Sequence, residues 1–345
     1  MASLVETTTY KILLYYYYWD EAIPTPPPVI DHEVLLSELN CYGRIRVSNE
    51  GFNGVLSGTE EDLRVYMDCV DKVAVGIEWK VSGLRDDLSV KSQLFTELKI
   101  KKTKDVVSSN EVGGRAGLGP RAHKLSPTEF HEMLQRPGCV MLDVRNGYES
   151  AIGHFKSPVN PTYLLNTRKF SDTVLDEVPE RPVLAYCTGG VRCEALARSY
   201  TGDKDLYLLD GGICKYMEQF GEAGYFKGKN FTFDCRRYEP NGNGLVGRCL
   251  YCDSEHDNYD HGDAVGDKEV RCRKCRVLCL VCDGCLGNPD EGKEGRLPHG
   301  VSMGQLTEEL AEREKEEEES KRGVFCGGNF CKVGRVSNLK VVENK

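Results

Sequence analysis

Residues 181–200 read RPVLAYCTGGVRCEALARSY, and this stretch decides the fold. The apolar run that ends at Cys187 predicts a short buried strand, which Gly189 and Gly190 then interrupt. The residues from Cys193 onward predict a helix. A strand that passes through a tight turn into a helix is the repeating unit of α/β proteins. The stretch therefore predicts a thiol at the carboxyl end of a parallel strand, where such proteins place their sites.

The flanking sequence alternates between strand and helix in the same way. Two further strands are expected at 138–145 and 205–212. One helix is expected to start at Ser126, and another is expected over 214–221. We therefore expect residues 125–232 to form an α/β domain with a parallel sheet. Asp143, like Cys187, falls at the end of a predicted strand.

Before this domain, residues 8–100 follow the order strand–helix–strand–strand–helix–strand. The strands are expected at 10–18, 43–48, 54–59 and 77–82, and the helices at 32–40 and 60–73. This βαββαβ order indicates a ferredoxin-like (acylphosphatase-like) domain. Residues 101–124 are basic and then glycine-rich, with few large apolar side chains, and predict a linker or a long functional loop.

The loop CTGGVR combines three features that stabilise a thiolate. Glycines let backbone N–H groups turn inward around an anion, the following helix has a positive amino end, and Arg192 adds a full charge. Such surroundings lower a cysteine pKa from about 8.5 to between about 3.5 and 7.5. The alternative is a buried cysteine that only fills space. We interpret Cys187 as a nucleophile in a loop of Thr188, Gly189, Gly190, Val191 and Arg192.

The length of this loop restricts the group that the thiolate can receive. Four residues separate Cys187 from Arg192. Phosphatases that carry a cysteine and an arginine in one loop have one residue more, because the loop must surround a tetrahedral phosphate. The shorter loop favours a persulfide or another small group on sulfur.

Cysteines concentrate near the carboxyl end, where nine of the 16 follow residue 245. In a large chain without a secretion signal, closely spaced pairs predict metal ligands rather than disulfides. A zinc-binding region is therefore expected over 245–335. Its first four cysteines can close one tetrahedral structural site, and Cys326, Cys331 or His256 can complete a second, although an interleaved pairing fits equally. The expected zinc ligands are Cys249, Cys252, Cys272, Cys275, Cys279, Cys282 and Cys285.

Composition restricts the class of protein. The 345 residues are 40% hydrophobic and 29% charged, as in a globular protein of several domains. The net charge of −9 argues against broad binding to nucleic acids or anionic membranes, but leaves local basic patches open. No apolar run approaches the length of about 18 residues that crosses a membrane, and no targeting segment is recognised, so a cytoplasmic protein is expected. The charge-dense run 307–322 predicts a solvated helix.

Several motifs together resemble one protein family. LDVRNGYESAIGHF, YCTGGVRCE and LDGG, which begin at residues 142, 186 and 209, resemble a rhodanese (sulfurtransferase) domain. With GRIRVSNEGFNG in the first domain, GGICKYMEQFG, FKGKNFTFD and the cysteine-rich tail, residues 10–285 resemble the rhodanese-domain tRNA uridine hydroxylases and their eukaryotic rhodanese-like homologues. The resemblance implies tRNA as partner and an oxygen-dependent hydroxylation of the wobble uridine at C5.

The resemblance also implies roles for residues of the loop. Cys187 matches the catalytic cysteine of the family, and the residues from Thr188 to Arg192 match its loop. Cys193 matches a second cysteine of the hydroxylase loop. It is interpreted either as a resolving thiol or as a buried packing residue.

Four further residues match motifs near the loop. Asp143 and Arg145 match an Asp-x-Arg pair at a strand end, which the resemblance implies braces the loop. Glu149 and His154 are interpreted as structural.

Three functions remain as hypotheses. The first is tRNA hydroxylation, with zinc as a structural cofactor; no flavin or nucleotide motif is seen. The second is a sulfurtransferase that moves sulfane sulfur from thiosulfate or a persulfide through a persulfide on Cys187. The third is a zinc-organised binding module, against which the intact cysteine loop argues. The order of the domains favours the first.

Overall fold

The computed structural model describes most of the chain. No helix in the described part is long and apolar enough to cross a membrane. Cys275, Cys326, Cys331 and the acidic run 307–322 lie outside the described residues. The described residues are 8–19, 30–107, 117–165, 175, 178–179, 181–239, 244–260, 270–272, 277–286 and 339–342.

The amino-terminal domain is a five-stranded sheet with helices on one face. Its strands follow the order β4-β1-β3-β2-β5, and the first four pair antiparallel. This confirms the predicted βαββαβ order. In chain order the elements are β1 (Tyr10–Tyr18), α1 (His32–Leu36), β2 (Tyr42–Ser48), β3 (Gly51–Thr59), α2 (Glu60–Asp71), β4 (Lys80–Ser82), α3 (Val90–Gln93) and β5 (Leu98–Lys102).

The fifth strand corrects the start of the predicted linker. β5 pairs in parallel with β2, so the residues up to Lys102 belong to the sheet. Its apolar residues Leu98 and Ile100 pack against the core of this domain, while Lys99 and Lys101 are exposed. This period-two alternation is the signal of an edge strand, which the high lysine content concealed. The linker also ends early, because the strand Ala122–Leu125 joins the next sheet.

The two faces of β1 serve different partners. Leu13 and Tyr15 point toward the helices, where the hydroxyl of Tyr15 lies 2.6 Å from that of Tyr66 in α2. Leu14 and Tyr16 point the other way, as alternate residues of a strand must. The second domain packs against that opposite face. The apolar run at 10–18 is therefore buried on both sides.

The second domain is a six-stranded sheet in the order β13-β9-β7-β10-β11-β6, with its core on both faces. The five strands from β9 to β6 are parallel and β13 is an antiparallel edge, which confirms the predicted parallel sheet. The elements are β6 (Ala122–Leu125), α4 (Pro127–Leu134), β7 (Val140–Asp143), α5 (Gly147–Ala151), β8 (Gly153–Phe155), β9 (Thr162–Leu165), β10 (Val183–Tyr186), α6 (Val191–Ser199), β11 (Leu206–Leu209), α7 (Gly212–Phe220), β12 (Phe226–Gly228), α8 (Asp283–Leu286) and β13 (Leu339–Val342).

The central strand β10 explains why its sequence is continuously apolar. Val183 and Ala185 pack on one face of the sheet, in the same cluster as Leu196 of α6. Leu184 and Tyr186 pack on the other, with the residues of α4 and α7. A parallel strand that is covered by helices on both faces has no polar side.

The described part of the cysteine-rich tail packs against the second domain beside α5. The Tyr259 hydroxyl donates a hydrogen bond of 2.7 Å to the backbone oxygen of Tyr148. Phe231, Leu278 and Leu280 complete this small apolar core. The tail thus rests directly on the helix that carries Glu149.

Candidate functional site

Cys187 follows β10 immediately and is completely buried. Gly190 caps α6 with φ of +98°, a conformation that favours glycine, and its N–H donates to the Cys187 Sγ over 3.1 Å. The backbone N–H groups of Arg192 and Cys193 also donate hydrogen bonds to this sulfur. The structure therefore brings the predicted loop residues around the thiol as an N–H cradle at the start of α6.

A glycine from the LDGG motif supports the loop from below. The N–H of Ile213 donates to the Cys187 oxygen, and the N–H of Cys214 donates to the Thr188 oxygen, each over 3.0 Å. A Cβ on Gly212 would lie 2.7 Å from the Cys187 oxygen, so no larger residue fits there without displacing the loop. The LDGG motif contributed to the resemblance to a rhodanese domain, but no role was predicted for Gly212.

Arg192 is fixed by Glu149, a residue that the sequence analysis interpreted only as structural. Both oxygens of the fully buried Glu149 carboxylate accept from the Arg192 guanidinium, at 2.7 and 2.8 Å. Arg192 also donates to the Thr188 hydroxyl over 3.1 Å. Glu149 comes from α5 in the neighbouring segment, so the pair joins two loops of the site. Glu149 is in this way a positioning residue for Arg192.

The surroundings of Cys187 favour its thiolate. Burial alone would raise the pKa of the thiol, but hydrogen bonding with the Cys193 side chain and the charge of Arg192 outweigh it. Together with the backbone donors they lower the pKa of Cys187 from 9.0 to about 5. Burial and the neighbouring Cys187 raise the pKa of Cys193 instead. At neutral pH the pair is therefore one thiolate beside one thiol.

Asp143 and Arg145 form a second buried ion pair behind the loop. The Arg145 guanidinium donates to both Asp143 oxygens, at 2.9 and 2.7 Å, and to the backbone oxygen of Gly153 over 2.6 Å. Asp143 lies in register with Tyr186, the last residue of β10. Their contact with the loop therefore runs through that strand, and bracing of the loop stays a prediction. His154 contacts the Ser150 oxygen within the same segment.

The amino-terminal domain covers the cysteine loop. A Cβ on Gly189 would meet the Leu14 side chain at 2.9 Å, and one on Gly190 would meet the Tyr16 hydroxyl at 3.0 Å. Lys80 of β4 lies over the Tyr16 ring, 5.2 Å from its centre. Leu14, Tyr16 and Lys80 were not predicted to lie at the site, because nothing local in the sequence indicates which face of β1 meets another domain.

We predict that the Cys187 thiolate makes stability depend on pH. Its folded pKa of about 5 lies below its ordinary value of 9.0, so folding favours the ionised form. This stabilisation is complete above the ordinary pKa and is lost as pH falls through the folded pKa. The free energy of unfolding of the wild type should therefore exceed that of Cys187→Ser by more at about pH 8.5 than at about pH 5. Urea titrations that give one constant difference at both pH values would contradict the thiolate assignment.

A second cluster of thiols lies in the tail. Four side chains place their sulfur atoms within 4.8 Å of one another: Cys249, Cys252, Cys282 and Cys285. The Sγ atoms of Cys252 and Cys282 are 3.6 Å apart. Four thiolates around zinc, with Zn–S of about 2.3 Å, lie about 3.8 Å from one another. The donor set and its spacing therefore fit a tetrahedral metal ion.

This grouping is one of the interleaved pairings that the spacing of the tail cysteines leaves open, and it differs from a site made of the first four. The backbone N–H of Leu250 donates a hydrogen bond of 2.8 Å to the backbone oxygen of Leu280, and this brings the last CxxC pair beside the first. Cys272 and Cys279 are buried in the same small core but lie outside the group of four. The bridge between Arg271 and Leu278 folds them into a hairpin of their own. Their roles as ligands, with Cys275 outside the described residues, stay predictions.

Comparison with known proteins agrees with both domains. Residues 10–106 match the family model of the UPF0176 acylphosphatase like domain, and residues 126–219 match that of the rhodanese-like domain. The chain is 31% identical over 273 residues to the tRNA uridine(34) hydroxylase of Corynebacterium glutamicum, which covers 74% of this chain and 82% of that protein.

Two other relatives show the same similarity. The tRNA uridine(34) hydroxylase of Chlamydia muridarum is 33% identical over 270 residues, which are 74% of this chain and 76% of that protein. Rhodanese-like domain-containing protein 6 of Arabidopsis thaliana is 33% identical over 292 residues, which are 76% of this chain and 49% of that protein. Each alignment covers about three quarters of this chain, which is more than the two matched domains together.

Proposed function

The chain belongs to the tRNA uridine(34) hydroxylase family, and from this membership we propose that it is an enzyme that hydroxylates C5 of the wobble uridine in tRNA, with Cys187 as the catalytic residue. The observation that carries this proposal is the Cys187 sulfur, which lies in the N–H cradle next to Arg192 with a pKa of about 5. A thiolate that is stable at neutral pH is the nucleophile that such a reaction needs.

The chemistry of uracil gives this thiolate a target. C6 of the ring is electrophilic because the C5–C6 double bond is conjugated with the C4 carbonyl. Addition of the Cys187 thiolate forms a sulfur–C6 bond, and the electron pair of the double bond moves toward C5 and the C4 oxygen. C5 thereby becomes a nucleophile toward oxygen, and later expulsion of Cys187 with loss of the C5 proton restores the ring.

The net reaction also needs two electrons, which we assign to the thiols of Cys187 and Cys193. Uridine, one dioxygen and two thiols give hydroxyuridine, one water and one disulfide, so that atoms and electrons balance. Oxygen adds to C5 as a hydroperoxide, and its O–O bond breaks when the Cys193 sulfur takes the outer oxygen as a sulfenic acid, which leaves a hydroxyl on C5. The Cys187 thiolate that is expelled from C6 then attacks the Cys193 sulfur, and hydroxide leaves and takes up the C5 proton as water. Cys193 suits this role because its side chain contacts Cys187 and its raised pKa keeps it protonated until it is needed. An external thiol then reduces the disulfide.

We further propose that the tail cluster holds zinc as a structural ion, because four thiolates in a closed set leave no position for a substrate. A cytoplasmic location follows from the proposed substrate, tRNA. The sulfur-transfer alternative needs the same thiolate, and no contact of the site favours it over hydroxylation.

Isotopically labelled dioxygen tests the proposed function. The full chain is incubated with a tRNA that carries an unmodified wobble uridine, and the nucleosides are analysed by mass spectrometry. We expect one labelled oxygen at the wobble uridine, and, without added thiol, one Cys187–Cys193 disulfide for each uridine converted. Without added thiol, Cys193→Ser should convert no uridine, whereas the wild type should convert one for each chain. An unlabelled oxygen at C5, or an unchanged uridine, would contradict the proposal.

A further inference from the structure

The sheet face that covers the cysteine loop continues into a series of cations. Leu14, which lies over Gly189, pairs in register with Val55 of β3. Val55 in turn pairs with Arg44 of β2, and Arg44 pairs with Lys99 of β5. One cross-strand row therefore begins above the catalytic loop and ends in two adjacent positive charges.

A second row repeats this arrangement. Tyr16, which lies over Gly190, pairs with Asn53, and Asn53 pairs with Arg46. Arg46 pairs with Lys101 at the edge of the sheet. The two rows lie two residues apart along the strands, which is about 7 Å.

The four cations share the face of Leu14 and Tyr16 rather than the face of the helices. Ile45 of β2 and Ile100 of β5 pack in the helix-covered core, so their neighbours in each strand point the other way. Arg44, Lys99 and Lys101 are exposed on that side. The basic row, as we call Arg44, Arg46, Lys99 and Lys101, thus has three exposed cations at the outer edge of the sheet, and Arg46 is half-buried.

The protein itself neutralises little of this charge. Among the described residues, neither Arg44, Arg46 nor Lys101 forms an ion pair with a carboxylate, and Lys99 pairs only with the exposed Glu97. One terminal guanidinium nitrogen of Arg46 donates to the backbone oxygen of Asp105 over 3.5 Å. The Nε of Arg46 is buried and has no hydrogen-bond partner among the described residues. In a chain of net charge −9, such a group of cations indicates an anionic partner.

We propose that the basic row binds successive phosphates of the RNA strand that carries the substrate uridine. The inference rests on the proposed function and adds to it the surface that holds the RNA. Neighbouring strands are about 4.8 Å apart, so β5 lies about 14 Å from β1, the strand that covers the catalytic loop. A few nucleotides span that distance, which suits an anticodon loop whose unpaired bases can turn outward. Arginine adds paired hydrogen bonds to phosphate, and lysine adds charge.

Binding of a fluorescent anticodon stem-loop RNA to the full chain tests this surface. The variant Arg44→Gln/Lys101→Gln removes one exposed charge from each row. Its matched control, Arg64→Gln/Lys72→Gln, removes two exposed charges from α2 and the residue after it, on the opposite side of the sheet. We expect about tenfold weaker binding for the first variant near physiological salt, and a salt dependence lower by about 1.4, which is two contacts at about 0.7 each for a single strand.

The outcomes separate this inference from the proposed function. Equal affinity of the row variant and the control would overturn the basic row, even if the wild type hydroxylates the uridine. Row-dependent RNA binding by a chain that leaves the wobble uridine unchanged would instead support the basic row and contradict the proposed function. An affinity that falls equally in both variants would show that only net charge matters, and would overturn the basic row.

Discussion

Cys187→Ser should lower the formation of hydroxyuridine at the wobble position by at least about a thousandfold. The N–H cradle and Arg192 lower the pKa of the Cys187 thiol, so that it is ionised near neutral pH. A serine hydroxyl in the same place stays protonated and does not add to C6 of uracil. The measurement is mass spectrometry of tRNA nucleosides from cells that lack the gene and carry either form of the chain.

The control for this substitution is Cys69→Ser, in the partly exposed part of α2 in the other domain. It replaces the same atom far from the loop and should leave hydroxylation unchanged. Thermal unfolding of both variants shows whether the fold is retained. Full activity of a folded Cys187→Ser protein would mean that another group performs the reaction.

Cys282→Ser should release the metal ion and unfold the cysteine-rich tail. The sulfur of Cys282 is one of four that lie within 4.8 Å of one another. The substitution therefore leaves three thiolates and no fourth ligand for the metal ion. Structural zinc supplies about 10–16 kcal/mol in small finger peptides, more than a segment with so small an apolar core can replace. Elemental analysis should show the loss of one metal ion, and limited proteolysis should cut the tail while the parallel sheet resists.

Cys272→Ser separates this grouping from the one predicted from spacing. It leaves the four converging thiols intact, so the metal ion that we propose for Cys249, Cys252, Cys282 and Cys285 should remain. If Cys272→Ser released this ion and Cys282→Ser retained it, the first four cysteines would be its ligands after all. A protein without any metal would contradict the zinc assignment.

The parts of the fold that were predictable depend on local pattern. The apolar run of β10, the two glycines and the helix that follows are adjacent in sequence, and each has a distinct backbone preference. β5 was missed because its lysines mask the alternation of Leu98 and Ile100. A residue pattern reports burial only when the exposed positions do not dominate the composition.

The missed features of the site come from contacts between distant segments. Glu149 looked like an ordinary helix residue, and only the folded chain brings its carboxylate to Arg192. The grouping of the tail ligands stayed open in the sequence because three similar CxxC pairs offer several ways to close a loop, and loop-closure entropy changes slowly with length. The choice was made by backbone bonds such as that from Leu250 to Leu280, which spacing does not reveal.

The position of β1 over the catalytic loop has a consequence for the survival of the enzyme in the presence of oxidants. An acidic thiolate is the form that peroxides attack, and oxidation beyond the sulfenic acid is not reversed in most proteins. Cys187 is nevertheless sealed beneath Leu14 and Tyr16, with no exposed surface. We therefore expect peroxide to oxidise Cys187 more slowly than an exposed thiolate of the same pKa. The uridine must reach the same sulfur, so the proposed reaction requires the side chains of Leu14 and Tyr16 to move away from the loop when the substrate binds.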